Sequence, residues 1–565
     1  MTTLGRHANL TRLADESFDL LIVGGGITGA CLALDAATRG IRTALVEKGD
    51  FGHATSSASS KLLHGGIRFL QQLRVDKVRE SAFERVYFQN LAPHLCHYVP
   101  FLVPTFSGLK SGKAFLAAGA AAYSAISIGQ NRAARHETVK VPMPRLIGRS
   151  EVVSRIPWLG DDWRGTGALV LPECHMKSSE RMTLAIIRAA AEAGAAVVNY
   201  AQVTKVGIDD NRVVSVTIAA EDATDFEVRT DGVANCAGPW LGVVDGLTPG
   251  NDESPISSFF RGSHLVLDGI QLDCALALPT PQKIQGVTSR GGRHVFMIPW
   301  RDHVLLGTSY APHSSKIDRV APTPEDAEQL LDAVNSALGR EFLTGENVRH
   351  AFAGIYPITA AAVKSDEYQG ASDFVFTNHG RSGGPVGYFS VFGAKYTTAR
   401  KLAEVACDGI ARHFDRPLGN CRTRDMTLAV ADIPDADAFC DSLLDRYRGQ
   451  LDTETARHLY EVYGKDAENV LQIAAASPAL FERFDNARPN IAAEAVFSAR
   501  NEMLLHLDDF VLRRTGLGTI GNPGADAVRR SAELIGQELG WSQDRISGET
   551  DAMLALFPRL YDEAA

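Results

Sequence analysis

Residues 18–40, FDLLIVGGGITGACLALDAATRG, decide the fold. FDLLIV (18–23) is a short, mostly apolar run of buried-strand type. Gly24, Gly25 and Gly26 break it, and ITGACLALDAATRG continues with helical spacing to Gly40, which reads as a C-cap. IRTALVE (41–47) is a second strand ending at Glu47. Strand, glycine turn, helix and strand in that order make a βαβ unit, the start of a doubly wound sheet.

Gly24, Gly26 and Gly29 have G-x-G-x-x-G spacing between strand and helix. The first glycine makes the tight turn, the second lets backbone N–H groups approach a pyrophosphate, and the third lets helix and strand pack closely. Glu47 ends the second strand, where a carboxylate accepts hydrogen bonds from ribose hydroxyls and disfavours a 2′-phosphate. Gly25, Thr28 and Lys48 complete this part of the candidate cofactor set. The competing reading is a glycine-rich structural turn. Spacing alone does not separate NAD from FAD, but two later segments favour FAD. VANCAGPW (233–240) looks like a strand that returns to the dinucleotide, bringing Ala237 and Gly238. VFGAKYTTARKLAEVA (391–406) is a glycine turn into a helix whose N-terminus suits negative charge on a reduced flavin. Val203, at the start of a strand after the first unit, joins the same set.

At 565 residues the chain exceeds one ordinary core, so two or three domains are expected. The formal charge of −10 would repel a nucleic-acid backbone, which sets nucleic acid aside as a partner. The 8 cysteines are dispersed with no C-x-x-C pair, so neither a metal site nor a disulfide framework is expected, and a reducing cytoplasm fits best. The N-terminus lacks the apolar run of a secretory signal. AFLAAGAAAYSAISIGQN (114–131) is uncharged but too rich in small and polar residues for a good membrane span. It reads as a buried Ala-rich helix, with a helix dipping into a membrane interface as the alternative.

MTLAIIRAAAEAG (182–194) is a strong helix, and AAVVNYAQVTKVGID (195–209) and RVVSVTIAA (212–220) read as strands joined through Asp209, Asp210 and Asn211. Between about 255 and 360, SHLVLD, HVFMIPW and HVLLGTS suggest a more antiparallel sheet where a substrate pocket could be built. From about 425 the chain turns helical, as in TETARHLYEVYG, IAAEAVFSARNEMLLHLDDFVLRR and ADAVRRSAELIGQEL. The expected organisation is an N-terminal extension over 1–17, a discontinuous FAD-binding domain with an interleaved substrate-binding sheet over 18–424, and a helical domain over 425–565.

The glycine unit, then ATSSASSKLLHGGIRFL (54–70), RGSHLVL (261–267), FMIPW, LLGTS, FGAKYTTARKLAE and LRRTGLG near 512 occur in an order that resembles the FAD-dependent glycerol-3-phosphate dehydrogenases over nearly the whole length. The resemblance implies an α/β FAD-binding domain of glutathione-reductase (Rossmann) type, a mixed antiparallel substrate sheet and an all-helical C-terminal domain. It implies hydride transfer from the secondary alcohol of glycerol 3-phosphate to flavin N5, giving dihydroxyacetone phosphate. Electrons then pass to quinone, or to oxygen in oxidase members. It also implies a cytoplasmic protein, peripheral at the inner face of the membrane. A homodimer is one open assembly.

Residue by residue, the resemblance makes His264 the general base, because imidazole titrates near working pH. Arg68 matches a substrate-anchoring arginine, and Lys395 matches a lysine between flavin and substrate, with Thr397 opening the following helix. The hydroxyl run with its glycines, Thr55, Ser56, Ser57, Lys61, His64 and Gly65, suits contact with the FAD pyrophosphate and ring, as do Ala394, Lys395 and Thr397. Each single residue also has a plain structural reading: a core histidine, or a surface ion pair. There are departures too. The family's G-x-R-P element reads Gly354, Ile355, Tyr356 and Pro357; the tyrosine after the anchoring arginine is Phe69; and a further arginine falls around Ser372 and Asp373. Losing charge-assisted bonds to a dianion costs about 1.5–3 kcal/mol each. Arg381 is the candidate replacement. Another polyol phosphate, a plain polyol, a hydroxy acid or an amine is therefore the alternative substrate class.

Overall fold

Leu20–Val23 is buried at every position and pairs in parallel with Thr43–Val46 on one side and Val233–Asn235 on the other. A strand covered on both faces has no use for alternation, which is why its sequence is continuously apolar. Ala196–Val198 extends the sheet beyond Thr43–Val46; Tyr388–Phe392 and then Val375–Asn378 extend it beyond Val233–Asn235, the last pairing antiparallel. The direction of winding reverses at Leu20–Val23, so the ligand crevice of such a sheet opens at that strand's carboxyl end, where the glycine turn lies. Helix Ile27–Thr38 packs between helices Ser179–Glu192 and Ala399–His413.

The computed structural model describes residues 4–108, 111–248, 256–280, 293–314, 316–318, 320–359, 374–414 and 418–557. They fall into two compact units. The first comprises 1–57, 178–255 and 373–558, and the second contains 58–177 and 256–372.

In the first unit a four-stranded sheet, Ser17–Phe18, Phe226–Thr230, Arg212–Ala220 and Ala201–Asp209, shares a core with the parallel sheet through Leu21, Val23, Ala44, Ala196, Val206, Val216 and Val228. Asp210 (φ 43°) and Asn211 (φ 57°) form a two-residue hairpin turn, while Asp209, expected in the connection, ends its strand opposite Arg212. The helices that follow Ala436 build two apolar clusters, one around Leu443, Leu459 and Phe497, the other around Phe510, Val528 and Ile535.

The second unit is built on one ten-stranded sheet. Ile256–Leu267 lies between Val348–Thr359 and the strands Ala311–His313 and His303–Gly307, all antiparallel to it. Helix Pro324–Leu338, opened by a Thr323 capping box, buries Ala327, Leu330 and Val334 against Leu265, Leu267 and Leu306.

The N-terminal extension carries helix Arg6–Asp15, followed by Ser17–Phe18 paired to Arg229–Thr230. Three expectations need correction. The helix expected over 182–194 begins at Ser179, because the Ser178 side chain accepts from Arg181 N as an N-cap. The run 491–514 is not one helix. Ala493–Asn501 stops, Met503 adopts φ 49°, and a π-helical turn follows at Asp509–Arg514. The gap is held by the Asp509 carboxylate, which accepts from Leu505 N and His506 N. Helix Lys113–Ile126 buries only Ala120 and Tyr123, while Ala114, Phe115, Ala118, Ala121, Ala122 and Ala125 face solvent. Its buried stripe is too narrow to sink an Ala-rich surface. No helix among the described residues is long and apolar enough to cross a membrane.

Candidate active site

The glycine turn is closed to side chains on two flanks. A Cβ at Gly29 would lie 1.9 Å from Gly24 O, and one at Gly24 would lie 2.7 Å from Cys236 O at the end of Val233–Asn235. Gly26 N-caps helix Ile27–Thr38, which has no acidic residue in its first turn, so its positive end suits an anion. Buried Glu47 accepts from Gly25 N at 2.6 Å and Gly49 N at 2.9 Å, which leaves carboxylate lone pairs for ribose hydroxyls. Ser56 Oγ accepts from Ile27 N at 2.9 Å, with Thr55 and Ser57 in the same turn. Thr28 is half-buried in the first helical turn, and Ala237 and Gly238 are half-buried after Asn235. Lys48 is exposed with Nζ 4.0 Å from the Trp240 ring centre. Val203 is buried in the core shared by the two sheets, two residues after Ala201, whose N donates to Glu47 O at 2.7 Å. A cradle that excludes Cβ atoms, a helix N-terminus free of acidic residues and a carboxylate at the second strand's end together fit FAD.

Ala394 and Lys395 lie half-buried in the connection from Tyr388–Phe392 to Ala399–His413, a helix also free of acidic residues in its first turn. Thr398 is the N-cap residue, so Thr397, which is buried, precedes the helix rather than opening it. Arg381 is exposed in the turn His379–Ser382.

In the second unit His264 sits in the middle of the sheet, paired with Gly307 on one side and Phe352 on the other. Its ring stacks on Phe352 at 5.1 Å and 14°. A Cβ at residue 307 would lie 2.2 Å from His264 Cδ2, so the glycine of LLGTS makes room for the imidazole. His264 Nε2 is 2.9 Å from Ser60 Oγ, whereas Nδ1, fully buried, has no hydrogen-bond partner among the described residues. Burial, with the charge of Lys61 second, pushes this histidine down to about 3. It is therefore neutral at physiological pH, which corrects the expectation that it titrates there. Lys61 is buried, with Nζ 5.4 Å from the Trp300 ring and 5.7 Å from that of Phe352.

The rest of the loop is tied to Glu173. Its Oε2 accepts from Gly65 N at 2.8 Å, lies 4.0 Å from His64 Nδ1 and pairs with buried Arg85 at 3.4 Å. Arg68 falls in the short helix Ile67–Gln72, and its side chain lies outside the described residues. Phe69 is packed among Val78, Ala82 and Tyr123. Tyr356 sits opposite Phe260 in the strand pairing, and Tyr310 is 5.8 Å from the Tyr356 ring and 5.5 Å from that of Phe260. Arg261, next along the strand, is engaged by Asp326 at 2.7 Å. Ser372 and Asp373 lie outside the described residues.

The structure thus brings His264 together with Lys61, and the glycine turn together with Glu47 and Ser56. Sequence reasoning missed Ser60, Phe352 and Gly307. Ser60 was visible inside the hydroxyl run, but nothing local distinguishes it from its neighbours; strand register singles out the other two.

The fold and these groups define an FAD-dependent oxidoreductase. The family model described as FAD dependent oxidoreductase matches residues 19–399, and that of the C-terminal domain of alpha-glycerophosphate oxidase matches 421–546. The chain belongs to the FAD-dependent glycerol-3-phosphate dehydrogenase family. It is 30% identical over 553 residues to glycerol-3-phosphate dehydrogenase 2 of Mycobacterium bovis, covering 96% of this chain and 88% of that one. It is 29% identical to the aerobic glycerol-3-phosphate dehydrogenase of Staphylococcus saprophyticus, covering 91% of this chain and 90% of that one. The fold is also that of the Bacillus halodurans glycerol-3-phosphate dehydrogenase solved with FAD, at TM-score 0.76 and 24% identity over 100% of both chains.

Proposed function

We propose that the chain oxidises glycerol 3-phosphate at its secondary alcohol to dihydroxyacetone phosphate and passes the electrons to a membrane quinone. The observation that carries this reading is the neutral, buried His264 whose Nδ1 has no hydrogen-bond partner among the described residues. With Nε2–H donating to Ser60 Oγ, Nδ1 is left as the lone pair that takes the hydroxyl proton. FAD, when bound, supplies the acceptor for the hydride. Burial, with the charge of Lys61 second, keeps the free imidazole weakly basic, and a phosphate dianion near Lys61 would offset that second contribution. Family position supports Arg68 and Lys395 as the cations that hold the substrate, with Arg381 as a further one. Exposed Phe115 and Ile128, flanked by Lys113, Arg132 and Arg135, support a peripheral membrane contact.

The test is anaerobic flavin bleaching. Glycerol 3-phosphate should reduce the bound flavin within about a second of mixing, as an enzyme turning over at about 10 per second would, and glycerol should not. Flavin that stays oxidised with glycerol 3-phosphate rejects the assignment. A second reading, a substrate without phosphate, is favoured by one observation: the half-buried aromatic group of Phe260, Tyr310 and Tyr356 where the family carries a cation. Bleaching by a plain polyol, hydroxy acid or amine in the same panel would establish it. Peroxide formation on reoxidation in air would point to oxygen as the acceptor.

A further inference from the structure

The segment after Glu47 wraps the glycine turn. Glu47 accepts from Gly25 N, Gly52 N donates to Gly25 O at 3.0 Å, and Ser56 accepts from Ile27 N. Phe51 lies so close that a Cβ on Gly25 would come within 2.8 Å of its ring. In the middle of this wrap is Asp50, fully buried, and its carboxylate points the other way, into the C-terminal helices. Oδ2 accepts from Arg513 Nε at 2.5 Å and from Arg514 Nη1 at 2.7 Å; Oδ1 accepts from Arg514 Nη2 at 2.8 Å and from Asn199 Nδ2 at 3.0 Å. Arg514 also donates to Glu502 O, and Arg513 to Asp508 and Asp509.

We propose that Arg513 and Arg514 are positioning residues for FAD: by gripping Asp50 they hold segment 47–57 closed around the glycine turn, so cofactor retention depends on residues more than 450 positions away in the chain. The planar fork of Arg514 fixes both carboxylate oxygens, which a lysine point charge cannot do. Glu47, which accepts from Gly25 N, and Ser56, which accepts from Ile27 N, stand on either side of Asp50 in the chain, so releasing Asp50 loosens both.

The experiment titrates FAD into apoprotein and follows flavin fluorescence, alongside thermal unfolding of the apoprotein. Arg514→Met and Asp50→Asn should each raise the FAD dissociation constant at least tenfold, Arg514→Lys by less. The double variant Asp50→Asn/Arg514→Met should be no worse than the poorer single one, because both act through one contact. Leu459→Ala, in the helical core outside this network, controls for general loosening. It should lower the apoprotein midpoint without a matching loss of FAD affinity. Unchanged FAD affinity in the Arg514 and Asp50 variants overturns the proposal, as does an equal loss in Leu459→Ala. Should the neutral variants fail to fold, Arg513→Lys/Arg514→Lys retains the charges, and FAD affinity equal to wild type there overturns it too.

Discussion

The proposed base, His264, has Nε2 2.9 Å from Ser60 Oγ and a buried Nδ1 with no hydrogen-bond partner among the described residues. Replacing His264 by alanine should slow anaerobic flavin reduction by about 10²-fold or more while bound flavin is retained. Because the folded value is about 3 against an ordinary 6.5, the neutral ring favours the folded state above pH 6.5. This contribution shrinks as pH falls, since the unfolded chain takes up the proton first. Thermal midpoints measured from pH 7 to pH 4 should fall less steeply in His264→Asn than in wild type; parallel curves would refute the assignment. Gly307→Ala should also lower activity, since its methyl group would occupy the imidazole's place, and restored activity in a further variant with a smaller ring neighbour than Phe352 would trace the loss to crowding. At this scale the sequence was partly legible. Motif resemblance picked out His264, but not its neutrality, because burial and the charge of Lys61 come from segments distant in sequence.

Elements were legible where local pattern sufficed. FDLLIV, the glycine turn and Gly40 all announce themselves, since a strand buried on two faces and a helix with its cap need no distant partner. The break between Asn501 and Asp509 did not, because propensity favours one long helix and the competing order comes from Asp50, from Tyr200, whose hydroxyl donates to Asp509, and from Glu549. His506 lies in this break, with Nδ1 2.9 Å from Glu549 in helix Gln543–Ala555 and Nε2 2.9 Å from Glu221. The hydrogen bond that His506 donates to Glu549, ahead of the burial that opposes it and the bond it donates to Glu221, raises His506 to about 9. Its stabilisation is complete below pH 6.5 and is lost as pH rises through 9. A scan of thermal midpoints from pH 7 to pH 10 should show a decline that His506→Gln largely removes, and proton titration of the ring by NMR should give a midpoint near 9.

For the whole molecule, a net charge of −10 opposes adsorption to an anionic bilayer, so the proposed membrane contact rests on a local apolar and basic face. Phe115→Ser with Ile128→Ser should reduce cosedimentation with anionic lipid vesicles several-fold and leave soluble flavin reduction unchanged; no cosedimentation of the wild-type protein, or none lost in the variant, would refute it. The bipartite chain layout was only half legible, since interleaving leaves no linker composition to read: each unit is assembled from separated stretches. That layout constrains biosynthesis. Leu20–Val23 leaves the ribosome early, but its neighbour Val233–Asn235 and the next strand, Tyr388–Phe392, arrive much later, and Arg514 later still. At translation speeds of about 5–20 residues per second, the nascent strand waits roughly 20–75 s for that sheet to be completed. Until then a sticky apolar edge is exposed to other nascent chains, so holdase chaperones and slow codons between the two halves should govern the yield of functional protein more strongly than the stability of the finished fold.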